Sequence, residues 1–322
     1  MPLQSQILAV LRRAGLLDLG PAPPCRPIGG GGRGRLWRVD LDAGPVVVKL
    51  GDPVQNGAPP AVGGGEAGFL ALLGAIRPEA APRLLHVDPQ SGAFVMAGLP
   101  EEDHPSLLAL ARDRRLGARH GQALGDLLAA LHRAGWERPE RIGAFRADAR
   151  FHVLRIEPLL LVPAEAHKDA AGPLKRIARR LATTHRGVIH GEAAPENVLF
   201  GPRGPVLLDA DAAHGGDPAF DAAFLLADLA ILAQAWPGPA AAEAMRAFAR
   251  VWLGRGPAPE ALEAPAAELL PALVLGRLAG RLPLAAVPPR LAEGLILRAK
   301  ALLHVPRQGL LPTLGALRGE GA

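Results

Sequence analysis

The sequence has no tyrosine, a single cysteine (Cys25) and no apolar stretch of the roughly 18 residues that a membrane-spanning helix needs. One cysteine cannot form an internal disulfide, and Cys25 has no metal-ligating companion, which suits a reducing compartment. The N-terminal segment also lacks the charged and then apolar pattern of a signal peptide. These absences exclude a disulfide scaffold and a membrane-spanning protein, and we expect a cytoplasmic location.

Lysine is scarce as well, with only Lys49, Lys168, Lys175 and Lys300 in the chain. The formal net charge is +5, but the many arginines are scattered among 31 acidic residues, and aromatic residues make up only 4%. A protein that binds nucleic acid usually gathers its basic residues into a stripe with interleaved aromatics, so we expect no nucleic-acid partner. Because lysine is so rare, a lysine at the end of an apolar strand requires an explanation.

The hydrophobic pattern changes near residue 100, and 322 residues exceed the usual size of one compact core. Before that point, strands are predicted at 36–41, 46–50, 84–87 and 93–96, with helices over 4–18 and 66–73. After it, helices are predicted at about 105–113, 116–134, 170–183, 220–235, 239–253, 259–280 and 288–303, with short strands around 198–200 and 206–208. The pattern predicts an α+β protein with a small antiparallel β-sheet lobe and one main helix at 1–99, and a larger, mainly helical lobe at 100–322.

A glycine motif, Gly29-x-Gly31-x-x-Gly34, precedes the first two long strands. Glycines let a backbone approach phosphate groups and present N–H donors to them. The same spacing occurs in dinucleotide-binding folds and in plain flexible hairpins. A dinucleotide fold needs a helix directly after the glycines, whereas a strand pattern follows here, as it does after the glycine-rich lid of kinases.

Lys49 ends a Val-Val-Val run, and Glu66 follows on a predicted helix. In kinase-like folds, such a lysine contacts nucleotide phosphates while a helix glutamate orients it. Taken separately, Lys49 could be a charge on an edge strand and Glu66 a solvated helix residue. Their spacing, after a glycine motif, favours the nucleotide-binding interpretation.

The most informative segment is His190-Gly191-Glu192-x-x-x-x-Asn197. In a kinase-like catalytic loop, the acidic residue accepts or orients the hydroxyl proton, and the asparagine five positions later binds magnesium. Asp209 closes the apolar run that follows, where a carboxylate can bridge metal and phosphates. His190 is interpreted as a structural residue of the loop.

A second acidic element, Gly-Asp-Pro-x-x-Asp, occupies residues 216–221 before an apolar helix. Asp217 followed by Pro218 is typical of a helix N-terminus. Asp221 lies on the apolar helix itself, so it should be buried and must find hydrogen-bond donors. We expect those donors to be backbone N–H groups of the catalytic loop.

With these residues assembled, the chain resembles the aminoglycoside phosphotransferase-like family of small-molecule kinases over most of its length. The family's catalytic loop reads His-Gly-Asp-x-x-x-x-Asn, which His190, Gly191 and Asn197 match. Its metal-binding aspartate matches Asp209, and its Gly-Asp-Pro-x-x-Asp element matches residues 216–221. The helix that ends at His132 also looks like the family's helix ahead of the loop.

The resemblance implies a protein-kinase-like bilobal fold, with nucleotide bound by 1–99 and the catalytic loop and acceptor pocket in 100–322. It implies transfer of the γ-phosphoryl group of ATP or GTP to a hydroxyl of a small acceptor that resembles an aminoglycoside, a sugar or an amino alcohol. Mg²⁺ would be held by Asn197 and Asp209. Met96, Ala97 and Leu99 look like the hinge whose backbone contacts the nucleotide base. The expected partners are nucleotide and hydroxylated substrate, with no membrane, for a monomer or weak homodimer.

One position departs from the family pattern, because Glu192 stands where the family has its catalytic aspartate. The extra methylene shifts the carboxylate by about 1.5 Å unless the side chain folds back, and about 1 Å of misplacement can cost on the order of 100-fold in rate. Three interpretations stay open. Glu192 is a repositioned or slower base, the protein is a pseudokinase that binds nucleotide or metabolite without efficient turnover, or the position is a deliberate or incidental variant.

Overall fold

The computed structural model describes residues 3–28, 35–50, 65–282, 284, 288–305 and 309–320. The chain divides into two compact units, Met1–His104 and Pro105–Ala322. The first contains a β-sheet and two helices, and the second is mainly helical, so the predicted α+β class is confirmed. The predicted phosphate-binding glycines Gly29, Gly31 and Gly34 lie outside the described residues.

The N-terminal unit is built on one antiparallel sheet of five strands. Its elements are α1 (Leu3–Arg13), β1 (Cys25–Pro27), β2 (Leu36–Leu41), β3 (Gly44–Lys49), α2 (Gly65–Ile76), β4 (Leu84–Val87) and β5 (Phe94–Ala97). The strands lie in the order β1-β2-β3-β5-β4. The first helix ends earlier than predicted, because the backbone turns at Gly15, whose φ is 66°. Strand β1 was not predicted, since its three residues are too short for an alternating pattern.

The valine run forms the middle strand of this sheet. Strand β3 pairs with β2 on one side and with β5 on the other. Val46 and Val48 pack against Ile7 and Leu11 of α1 in a buried core. A continuous apolar run suits a strand that is paired at both edges and covered on its faces. Lys49 is the last residue of this strand, so its charge lies where the apolar environment ends.

The C-terminal unit combines many helices with two small strand pairs. Its elements are α3 (Leu107–Arg112), α4 (Ala118–Trp136), α5 (Pro139–Ala144), α6 (Asp148–Phe151), a π-helix (His152–Leu161), α7 (Val162–Ala166), α8 (Ala171–Thr183), β6 (Gly187–Ile189), β7 (Val198–Gly201), β8 (Gly204–Leu207), β9 (His214–Gly216), α9 (Ala219–Ala235), α10 (Pro239–Arg255), α11 (Pro259–Ala279), α12 (Pro289–Leu302) and α13 (Leu310–Arg318). All the long predicted helices are present. The segments from α5 to α7, the strands β6 and β9, and helix α13 were not predicted.

Helix α9 is the centre of this unit and is buried along almost its whole length. A helix that is apolar all round belongs in a core. Two carboxylates interrupt it, Asp221 and Asp228, and both are fully buried. Helices α4 and α10 pack so closely that a Cβ at Gly121 would lie 1.9 Å from the carbonyl oxygen of Ala244. Among the helices formed by the described residues, none has the length and apolar character needed to cross a membrane.

The two strand pairs frame one loop. Strands β6 and β9 are antiparallel partners, as are β7 and β8. Residues 190–197 run from the end of β6 to the start of β7. The loop 190–197, whose sequence resembles a catalytic loop, therefore has a supporting strand pair at each end.

Candidate active site

The buried carboxylate of Asp221 on α9 anchors the loop 190–197 through hydrogen bonds to its backbone. Its Oδ2 accepts the N–H of His190 at 2.7 Å, and its Oδ1 accepts the N–H of Gly191 at 2.8 Å. Burial alone would raise the pKa of Asp221, but the hydrogen bonds from His132 and from the backbone of His190 outweigh burial and lower it. The prediction that Asp221 finds its donors in the loop backbone is confirmed.

Two helices brace this carboxylate. His132 on α4 donates from Nε2 to Oδ2 of Asp221 at 3.1 Å, and the indole N–H of Trp252 on α10 donates to Nδ1 of His132 at 3.0 Å. All three side chains are buried. An indole can only donate, so the proton of the neutral imidazole must lie on Nε2 and face Asp221. The carboxylate that positions the loop thus has a fixed orientation of its own.

The start of the loop requires glycine and a neutral histidine. Gly191 has φ 75°, and a Cβ there would lie 2.2 Å from the carbonyl oxygen of Ala212. His190 donates from Nε2 to the carbonyl of Leu208 at 3.0 Å and accepts the N–H of Glu192 at Nδ1, at 3.1 Å. Burial lowers the pKa of His190, which keeps the imidazole neutral. The interpretation of His190 as a structural residue agrees with these bonds.

Glu192 meets an arginine that the sequence analysis did not single out. Arg155, on the π-helix, forms an ion pair with Oε2 of Glu192 through Nη2. The same guanidinium donates from Nε to the carbonyl of Gly191 at 2.6 Å and from Nη1 to the carbonyl of Leu154 at 2.7 Å. Burial raises the pKa of Glu192, and Arg155 opposes that rise. Arg155 therefore holds both the loop backbone and its acidic side chain.

Asn197 and Asp209 lie at the same end of the β7–β8 hairpin. The N–H of Leu208 donates to the carbonyl of Asn197 at 2.8 Å, and Asp209 is the next residue. Nδ2 of Asn197 donates to the carbonyl of Glu192 at 3.2 Å, and no hydrogen bond from a described residue reaches its Oδ1. Asp209 has φ 56°, a left-handed conformation that costs on the order of 1 to 3 kcal/mol in a non-glycine residue. An amide oxygen and a carboxylate at one hairpin end are the donors that a hard cation such as Mg²⁺ prefers.

In the N-terminal unit, Lys49 and Glu66 are brought together. Nζ of Lys49 lies 2.5 Å from Oε2 of Glu66 at the start of α2, and their side chains are only 12% and 7% exposed. A lysine this buried is paired with a carboxylate because an isolated charge would be costly there. Neither residue is the solvated surface charge that was considered as an alternative.

The predicted hinge residues lie on β5 and just after it. Met96 and Ala97 belong to the sheet, where Ala97 donates its N–H to the carbonyl of Arg83 at 2.9 Å. The N–H of Gly98 donates to Pro45 at 2.8 Å. Within the described residues, no hydrogen bond uses the N–H of Leu99. Of the three predicted hinge positions, Leu99 is the one whose backbone donor remains for a ligand.

Comparison with known proteins agrees with this architecture. The model of the phosphotransferase enzyme family matches residues 24–264, well over half of the chain. The chain belongs to the phosphotransferase enzyme family. The resemblance inferred from the loop motif is thereby confirmed. No curated protein matches the chain at a significant level.

Solved structures match this family member over nearly its whole length. One is amicoumacin kinase in complex with AMP-PNP, Ca²⁺ and Ami, with 13% identity, coverage of 94% of this chain and 96% of that one, and a TM-score of 0.55. Another is spectinomycin phosphotransferase in complex with ADP and spectinomycin, with 11% identity, 98% and 99% coverage, and a TM-score of 0.53. A third is LicA in complex with AMP, with 15% identity, 94% and 98% coverage, and a TM-score of 0.53. At these identities the likeness shows the fold alone.

Arg155 is a residue of the candidate site that sequence reasoning missed. It stands in an apolar segment between Leu154 and Ile156, and it is only 4% exposed. The argument that drew attention to Lys49, a charge in an apolar run, applies equally to Arg155. Arginine is so common in this chain that the signal was not distinctive.

Proposed function

We propose that this protein transfers the γ-phosphoryl group of ATP or GTP to a hydroxyl of a small acceptor, with Glu192 beside the reacting hydroxyl. The observation that carries the proposal is the fixed position of Glu192, whose backbone belongs to a loop anchored by Asp221 and whose side chain is held by Arg155. Phosphoryl transfer depends mainly on positioning and on electrostatic stabilisation. A rigidly placed carboxylate meets that requirement.

The remaining predicted site residues receive separate roles in the proposal. Lys49, oriented by Glu66, binds phosphate oxygens of the nucleotide, and the backbone of Leu99 binds its base. Asn197 and Asp209 hold Mg²⁺ through side-chain oxygens. When bound, the ion neutralises charge on the phosphates. Gly29, Gly31 and Gly34 are proposed to approach the phosphates through their backbone.

Glu192 and Arg155 support the interpretation of the glutamate as a repositioned base. The ion pair uses Oε2, and no described residue hydrogen-bonds to Oε1, so one carboxylate oxygen remains for the acceptor hydroxyl. Arg155 favours the ionised form, which a proton acceptor must have. The longer side chain of glutamate is thus matched by a specific partner.

The acceptor is proposed to be aminoglycoside-like, sugar-like or an amino alcohol. One structural neighbour was solved with AMP-PNP, Ca²⁺ and Ami, a second with ADP and spectinomycin, and a third with AMP. This supports a nucleotide donor and a small-molecule acceptor for the present protein. A cytoplasmic monomer or weak homodimer is proposed as its working form.

The test is nucleoside diphosphate release from Mg-ATP and Mg-GTP across a panel of sugars, amino sugars and amino alcohols. The native protein and its Glu192→Gln and Glu192→Asp variants are compared. Glutamine keeps the size but cannot accept the proton, so kcat should fall about 10² to 10⁴-fold. Aspartate would draw the carboxylate away from Arg155, and we expect a loss of at least about 10-fold.

A faster Glu192→Asp variant would contradict the proposed role of Glu192. Turnover that appears only in that variant would instead support a pseudokinase that binds nucleotide without efficient transfer. Equal rates for the native protein and Glu192→Gln would exclude a proton-accepting role. Melting temperatures of all three proteins serve as the control for folding.

The metal role of Asp209 is tested through ligand-induced stabilisation. Millimolar Mg-ATP should raise the melting temperature of the native protein, because a ligand that binds only the folded state stabilises it. Asp209→Ala should lose both this shift and turnover. The matched control is Asp113→Ala, which removes an exposed carboxylate paired with Arg112 and should keep both. A retained Mg²⁺-dependent shift in Asp209→Ala would refute the assignment.

A further inference from the structure

Three side chains with metal-binding atoms converge away from the catalytic loop residues. They are Asp148 at the start of α6, His185 just before β6 and His214 in β9. One ligand atom from each lies within 4.8 Å of the other two. Nothing in the proposed phosphoryl transfer uses these residues.

The distances within this cluster are too long for hydrogen bonds. Oδ1 of Asp148 lies 3.8 Å from Nε2 of His185 and 3.6 Å from Nε2 of His214, whereas a hydrogen bond between such atoms spans about 2.7 to 3.2 Å. Ligand atoms bound at about 2.0 to 2.2 Å around a tetrahedral ion are about 3.3 to 3.6 Å apart. The two distances from Asp148 are close to this range, and the ligand atoms of the two histidines lie within 4.8 Å of each other.

The tautomer of His185 points to the same conclusion. Its Nδ1 contacts the carbonyl of Gly215 at 2.6 Å, and a carbonyl can only accept, so Nδ1 carries the proton. In the neutral ring Nε2 then has a lone pair, and it faces a carboxylate oxygen of Asp148. A cation between these two acceptors would satisfy both of them, as would a proton on Nε2. A second ring nitrogen bonded to a backbone carbonyl is also the usual arrangement of metal-binding histidines.

The other two members are held in place by their own neighbours. His214 is buried and stacks on Phe151, with ring centroids 4.7 Å apart. The N–H of Ala147 donates to its Nδ1 at 3.2 Å, and Phe145 also forms a backbone hydrogen bond with this ring, so Nε2 must release its proton when an ion binds there. Arg146 binds Oδ2 of Asp148 at 2.5 Å, and Oδ1 is the oxygen that faces the imidazoles.

We propose that Asp148, His185 and His214 form a binding site for a divalent transition-metal ion of the zinc class. Two imidazoles and one carboxylate suit Zn²⁺ and its neighbours, whereas Mg²⁺ and Ca²⁺ prefer oxygen donors alone. Of the three residues, His185 also lines an open cavity of about 470 Å³, together with Arg186 and Trp136.

The site would connect segments that frame the catalytic loop. His185 precedes β6, which leads directly to residues 190–197, and His214 pairs with Ile189 across the β6–β9 ladder. A bound ion would also tie α6 to this ladder through Asp148. Metal occupancy should therefore stabilise the base of the loop without touching the reacting groups.

The test is titration of the chelator-treated, tag-free full chain with Zn²⁺ by calorimetry, in the absence of nucleotide. We expect one equivalent to bind and to raise the melting temperature. His185→Gln and Asp148→Asn change side chains that are 19% and 48% exposed, so both variants should fold. Each should weaken Zn²⁺ binding by at least about 10-fold.

The matched control is His304→Gln, which removes an exposed histidine outside the cluster and should bind Zn²⁺ like the native chain. Absorption by Co²⁺ in the visible range is a second readout and should be lost in His185→Gln. Native-like Zn²⁺ affinity in both cluster variants, or no stoichiometric binding by the native chain, would overturn the proposal. Because phosphoryl transfer is assayed separately with Mg²⁺, either proposal can fail without the other.

Discussion

Two buried arginines in the C-terminal unit each meet a carboxylate, but the two ion pairs differ in what they leave exposed. Arg277 on α11 contacts Asp228 on α9 through Nε and Nη2, at 2.6 and 3.0 Å, so both carboxylate oxygens are used. The ion pair between Arg155 and Glu192 joins Nη2 to Oε2. The side chain of Asp228 is 0% exposed, whereas that of Glu192 is 29% exposed.

The Arg277–Asp228 pair has further interactions inside the core. Arg277 also donates from Nη1 to the carbonyl of Leu282 and lies over the ring of Phe224, 5.3 Å from its centroid. Burial raises the pKa of Asp228 to about 6, against the opposing effect of Arg277. The saturated pair inside the core joins α9 to α11. A pair with one carboxylate oxygen left over, beside an anchored loop, can also take part in chemistry.

The largest effect on stability is expected from breaking the saturated pair. Asp228→Ala leaves the guanidinium of Arg277 buried without its partner, and this should lower the free energy of unfolding by about 3 to 5 kcal/mol. Chemical denaturation measures the loss. The double variant Asp228→Leu with Arg277→Met, which removes both charges, should recover most of it. If the single variant unfolds like the native protein, the pair is not the structural link described here.

A smaller effect on stability, with a distinct effect on activity, is expected at the other pair. Arg155→Met leaves the carbonyls of Gly191 and Leu154 without their donor and should cost about 1 to 3 kcal/mol. It should also lower kcat by about 10 to 100-fold, because the carboxylate of Glu192 loses its fixed position.

The pH dependence of activity distinguishes an effect of Arg155 on the position of Glu192 from a loss of stability. Glu192 must be ionised to accept a proton, so activity should fall as the pH is lowered through its pKa. Burial raises the pKa of Glu192. The acid limb of the profile, where activity falls, should therefore lie at a pH above the usual glutamate pKa of about 4.3. Arg155→Met removes the opposing charge and should move the limb to still higher pH, whereas Arg155→Lys should largely restore it. An unchanged limb in Arg155→Met would limit Arg155 to a structural role.

Much of the fold could be predicted because the spacing of apolar residues along a long segment indicates which parts of it are buried. The valine run predicted the middle strand β3, and the apolar helix at 220–235 predicted the core helix α9. The role of Asp221 was also predictable, because a carboxylate on an apolar helix must find donors nearby. Short elements such as β1, β6 and β9, of three residues each, carry too few side chains for a pattern.

The candidate site was predicted in part, for a similar reason. Lys49, Glu66, Glu192, Asn197 and Asp209 could be singled out because their spacing along the chain matches a known arrangement. Arg155 lies 37 positions before Glu192 in the numbering of the chain, and no local pattern links the two. The pairing of His132 with Asp221 likewise joins helices that are distant in sequence.

The sequence by itself determined the family, the α+β class and the loop that carries Glu192, because spacing and periodicity are local properties. The tertiary structure alone decided which partners those residues meet. The Arg155–Glu192 pair and the cluster of Asp148, His185 and His214 both arise where separate elements pack together. Such contacts depend on how the π-helix, α6 and the strand pairs are folded against one another, and no single segment of sequence specifies that packing.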